Sequence, residues 1–64
     1  MLIMEVYIDY YDGEYTHCLV ILECETFSKV DKTEVLVNGA RVLVPGKIEK
    51  ISFQPSLAGT LAVG

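Results

Sequence analysis

Residues 2–11, LIMEVYIDYY, alternate without a break, and the run stops at Asp12-Gly13. Alternation of this length marks a strand with two different faces. Leu2, Met4, Val6, Ile8 and Tyr10 share one face; Ile3, Glu5, Tyr7, Asp9 and Tyr11 share the other. Residues 14–25, EYTHCLVILECE, are apolar or β-branched in the middle and charged at the end. An Asp-Gly pair between two such runs predicts a β-hairpin.

The loop length decides which faces meet, because a one-residue slip turns every side chain over. A two-residue loop at Asp12-Gly13 pairs Val6 with Leu19, sets Leu2 against Glu23 and puts His17 on the Val6/Ile8 face. A three-residue loop at 11–13, with Gly13 as the bulge residue, sets Leu2, Met4, Val6 and Ile8 against Leu22, Val20, Cys18 and Thr16. Glu5, Asp9, His17, Glu23 and Glu25 then gather on the opposite face. Burying an unpaired carboxylate costs several kcal/mol, so the charges favour the three-residue loop. In that register Cys18 turns inward and His17 outward.

Residues 26–33, TFSKVDKT, break the pattern and read as a surface loop. Residues 34–44 form a second hairpin about Asn38-Gly39, a type I′ turn pair. It sets Val35 against Val42 and Val37 against Ala40 on the inward face, with Leu36 against Arg41 and Glu34 against Leu43 outside. Arg41 and Glu34 are placed to pair across that outer face. Pro45-Gly46 suits a type II turn, whose geometry makes a corner between two layers. Ile48 and Ile51 have helical spacing, but seven residues before Gln54-Pro55 are too few for a helix, so 47–53 reads as a strand. Phe27 and Phe53 read as plugs for the two ends of a core. Residues 55–64 form an uncharged tail in which 60–63 can add a last strand, in the chain itself or on a neighbour.

The expectation is one all-β domain over residues 1–64: a small antiparallel five- to six-stranded barrel or two-layer sandwich. Its turns and corner resemble SH3-like barrels in general plan only, and a shared plan licenses no function. A 64-residue chain is marginal alone and ordinarily needs disulfides, a metal or oligomerisation. With 52% hydrophobic and 22% charged residues, this chain leans towards self-association.

Five bases against nine acids give a net charge of −4, the wrong sign and pattern for a phosphate-binding stripe. Direct nucleic-acid and membrane binding are disfavoured, whereas docking on a basic protein is not. No apolar run approaches the ~20 residues that span a bilayer, and the start lacks a signal-peptide pattern. A cytoplasmic location follows as the expectation. Cys18 and Cys24, about 20 Å apart along one strand at ~3.3 Å per residue, cannot bridge to each other.

The candidate sites are few. His17 is the only histidine; near Asp9 and Tyr7 it offers the raw material of acid–base chemistry, yet a surface histidine is the plainer reading. His17 and Cys18 point to opposite faces and cannot share a metal, and zinc-finger spacings are absent. Glu23 and Glu25 sit about 7 Å apart on one face, a separation glycosidases use, but without a sugar cleft. No nucleophile elbow, Ser-His-Asp pattern or phosphate loop is present, so no enzyme, cofactor or metal is expected. The strongest cluster is Ile3, Tyr7, Tyr11, Tyr15, Leu19 and Ile21, which the three-residue loop places on one outer face. Glu5, Asp9, Glu23 and Glu25 rim it. Tyrosine is favoured at interfaces because it supplies rigid area and a hydroxyl. The expected function is therefore a small non-catalytic interaction or assembly module, dimeric or oligomeric and binding a further protein, of the kind phages and mobile elements encode. The alternative is an acidic inhibitor filling the basic nucleic-acid site of a partner enzyme.

Overall fold

The computed structural model describes residues 3–56; the expected strand at 60–63 and the pairing of Leu2 lie outside them. Six strands follow in order: β1 Met4–Tyr11, β2 Thr16–Cys24, β3 Phe27–Asp31, β4 Glu34–Val37, β5 Ala40–Leu43 and β6 Lys47–Pro55. They form two antiparallel three-stranded sheets, β2-β1-β6 and β3-β4-β5. The all-β expectation holds. The sheets do not close into a barrel, and the chain is long for its mass. Its extents are 43 × 22 × 12 Å and its radius of gyration 12.6 Å, against about 11 Å for a compact chain of this length.

The first hairpin departs from the expected register. Val6 faces Ile21, Ile8 faces Leu19, Tyr10 faces His17 and Tyr11 faces Thr16, so residues 12–15 form a four-residue loop. Leu19 and Ile21 therefore share the inward face with Val6 and Ile8, and Cys18 and Val20 face outward. Charge favours the other parity only for straight strands of regular pitch. Two features remove that premise. The longer loop carries Glu14 off the sheet, and a bulge between Met4 and Val6 on the ladder sets Leu22 and Glu23 together against Glu5. An inserted residue flips the parity beyond it, so Cys24 turns inward three residues after Ile21.

The same device recurs in β6. A bulge leaves Glu49 extra between the Asp9–Lys50 and Tyr10–Ile48 pairs. Ile48 and Ile51, also three apart, then both pack on the core. Their helical spacing is realised in a strand.

The second hairpin matches expectation pair for pair. Asn38 at φ 52° and Gly39 at φ 82° have the two positive φ values of a type I′ turn. Glu34 Oε2 is buried and lies 2.6 Å from Arg41 Nε, an ionic contact outside hydrogen-bonding geometry.

Residues 27–31 are a strand, not a loop. β3 pairs with β4, Phe27 against Val37 and Lys29 against Val35. Its alternation is masked because it is a sheet edge: Phe27 packs on the core while Ser28, Lys29, Val30 and Asp31 are exposed. A type II turn at Pro45-Gly46 is also absent, since Gly46 has no positive φ. The corner itself is present. Val44 N–H donates to Thr33 O at 2.8 Å and Ile48 N–H to Lys32 O at 2.8 Å, which carries the chain from one sheet to the other. Glycine is needed at 46 for space: a Cβ there would lie 2.4 Å from Tyr11 O and 2.9 Å from Tyr10 Cδ2.

One core joins the sheets, made of Val6, Ile8, Cys24, Val35, Val44 and Ile48. Phe27 and Phe53 do not plug separate ends. They meet edge to face at 5.5 Å between ring centres, one from each sheet, with Phe53 half exposed. Asn38 ties the second turn to the β2–β3 junction: its Oδ1 accepts from Glu25 N–H at 2.7 Å and Thr26 N–H at 3.2 Å, and its Nδ2 donates to Glu23 O at 3.2 Å.

Candidate functional site

The register redistributes the expected interface residues. Tyr7 and Tyr11 remain on the outer face of β2-β1-β6, now beside Cys18, Val20 and Thr16. Leu19 and Ile21 leave that face and are partly buried against the core. Tyr15 sits in the loop and is exposed, and Ile3 precedes β1, its carbonyl accepting from Ser56 N–H at 3.2 Å. The exposed apolar set on β2 is thus Val20, 42% accessible, and Leu22, 61%, with Tyr7 opposite Val20 and Tyr11 farther along the same face opposite Thr16. Only the loop length and bulge could have revealed Val20 and Leu22 in the sequence.

The expected acidic rim is partly engaged. Tyr7 Oη donates to Glu5 Oε1 at 2.7 Å, and that bond to a carboxylate raises the tyrosine pKa. Asp9 stands between Cys18 on one side and Lys50 on the other. Partial desolvation, then Asp9, push the Cys18 thiol above its ordinary value, which favours the protonated form. Burial does the same to Cys24, whose Sγ donates to Thr26 O at 3.1 Å. Glu23 lies at the bulge and Glu25 at the junction, both exposed.

His17 lies on the inner side of its sheet, where the hairpin projects beyond the core. Its ring stacks on Tyr10 at 5.3 Å, and Nε2 is 2.7 Å from Asp12 Oδ2. The carboxylate partner is Asp12, not Asp9. Asp12 Oδ1 meanwhile accepts from Glu14 N–H at 2.7 Å and Tyr15 N–H at 2.8 Å. Those two backbone donors, then His17, hold its carboxyl at about 2, below the ordinary 3.8. The arrangement locks a turn. Both functional atoms of the carboxylate and one imidazole nitrogen are consumed in doing so. Among the described residues no three of His, Cys, Asp and Glu gather to hold a metal ion.

The sheet edges differ in how they are guarded. Exposed edges invite pairing with another chain and are ordinarily blunted by charge, proline or brevity. β3 has five residues with Lys29 and Asp31, β5 has four with Arg41, and β6 carries Lys47, Glu49 and Lys50 and ends at Pro55. β2 has nine residues and, between His17 and Glu23, only Cys-Leu-Val-Ile-Leu. It is the unguarded edge among the described strands. The described residues contain no helix long and apolar enough to cross a membrane. No family model matches the chain, and no curated protein or solved structure matches it either.

Proposed function

We propose that this protein is a small non-catalytic protein–protein interaction or assembly module, dimeric or oligomeric, that works through the exposed side of its β1–β2 hairpin. One observation carries the reading: Val20 and Leu22 stand exposed on a long edge strand with no charged side chain between His17 and Glu23. Apolar side chains beside unpaired backbone donors and acceptors are what another strand or sheet buries on association. The open two-sheet plan supports it, because a chain this small gains stability by sharing surface. The acidic-inhibitor reading has less support, since Lys50 and Lys47 pair with Asp9 and Tyr11 and interrupt the negative face.

Light scattering across a concentration series should show at least a dimer. Val20→Glu should shift it to monomer with the β-sheet circular dichroism intact. A clean monomer at high concentration sinks the proposal. Retained assembly by that variant would move the interface elsewhere. His17→Ala should leave assembly unchanged.

A further inference from the structure

The partner for which β2 is best suited is another β2. We infer that two copies of the chain pair antiparallel through their β2 edges about a two-fold axis at Val20, perpendicular to the sheet, joining two three-stranded sheets into one of six strands. This rests on the assembly reading above and names its occupant and register.

The sequence of β2 is close to self-complementary about that point. With Val20 opposite the partner's Val20, Leu19 meets Ile21 and Cys18 meets Leu22, each twice. Apolar side chains face apolar ones on both sides of the strand, and the polar His17 and Glu23 bound the apolar stretch at its two ends. Directly opposed cross-strand pairs are the unit of sheet stabilisation. Neighbouring registers lose this match. Centred on Ile21, the bulge at Leu22 and Glu23 falls inside the pairing; centred on Leu19, His17 faces Ile21. A two-fold pairing is isologous, so one self-complementary strand suffices for closure. The bulge at Leu22 and Glu23 ends the regular edge where the pairing ends, which stops the contact from continuing into a fibre.

The geometry provides its own test through a native thiol. Leu22→Cys places a new sulfur opposite the partner's Cys18. Opposed residues of an antiparallel pair lie ~4.5–5.5 Å apart at Cα, inside the roughly 4.4–6.8 Å a disulfide spans. Within one chain the same two positions are about 13 Å apart at ~3.3 Å per residue, so an internal bridge is excluded. Mild oxidation of Leu22→Cys should convert most of the protein to a covalent dimer on a non-reducing gel. Adding Cys18→Ser should abolish that dimer. Val20→Cys in the Cys18→Ser background should restore a cross-link at the axis.

The outcomes separate the two readings. A dimer by light scattering that refuses both cross-links overturns the edge pairing and leaves assembly through the outer face. A monomer in every variant overturns both. A monomer in which the β2 amides that point away from β1 also exchange slowly with deuterium shows the edge covered within the chain and overturns the pairing. Because Leu22 is largely exposed, its replacement leaves the fold intact, and circular dichroism checks this.

Discussion

The two hairpins of this protein obey different rules. The β4–β5 hairpin is specified by its turn: Asn38 and Gly39 take the positive φ values that a two-residue connection demands, and every cross-strand pair follows. The β1–β2 hairpin has an equally strong turn signal in Asp12-Gly13, yet its loop runs from 12 to 15. There the turn residues serve a wider structure. Asp12 binds two backbone amides and His17, and Tyr11 Oη donates to Gly13 O at 2.9 Å. A local signal sets register when the connection has no room for alternatives. In a longer loop the side chains of the strands choose, here by burying Leu19 and Ile21.

That contrast can be broken most severely at the corner. Gly46→Ala pushes a Cβ onto the backbone of Tyr11, which flexible side chains cannot relieve. The cost should be about 3 kcal/mol, at the upper end for overpacking. Urea unfolding should show the first hairpin lost with the whole domain; an unchanged midpoint would mean the corner can open freely.

The second hairpin has its own vulnerable point. Asn38→Ala forfeits both the tolerance of positive φ and the bonds to the β2–β3 junction, for about 2 kcal/mol together. Asn38→Gly keeps the turn and loses only the bonds, so it should cost about half as much. Equal losses in the two variants would show that the junction bonds, not the φ values, dominate.

The first turn should show its dependence on Asp12 through pH. The fold holds that carboxyl at about 2 against the ordinary 3.8, so it favours the charged form. Its contribution is complete above about pH 4 and fades as pH falls through 2. The stability gap between the wild type and Asp12→Ala should shrink in that window, read from urea midpoints. A gap that stays constant down to pH 2 would assign the stabilisation to packing of the loop instead.

The smallest effect belongs to the outer face of the second hairpin. Arg41 is mostly exposed, so Arg41→Ala should cost about 1 kcal/mol or less and lose its effect in high salt. A larger cost would show that the buried Glu34 oxygen depends on this one partner.

How much was legible in the residues follows from the same contrast. The all-β class, the second hairpin with its Arg41–Glu34 pair, and the corner near Pro45-Gly46 are local matters and could be read directly. β3 was hidden because an exposed edge strand has no alternation to display. The interface set was half hidden: Tyr7 and Tyr11 keep their outer positions, whereas Leu19 and Ile21 exchange places with Val20 and Leu22. Their parity depends on where the loop ends, and alternation carries no mark of that.

By itself, then, the sequence determined strands, turns and an excess of apolar surface, since these depend on neighbours in the chain and on period-two patterning. Tertiary structure decided which side of β2 is inside. Two bulges let Ile21 with Cys24, and Ile48 with Ile51, face one core from three residues apart. Bulges answer to the shape of the opposite sheet, and so it was packing that left Val20 and Leu22 facing out on an unguarded edge.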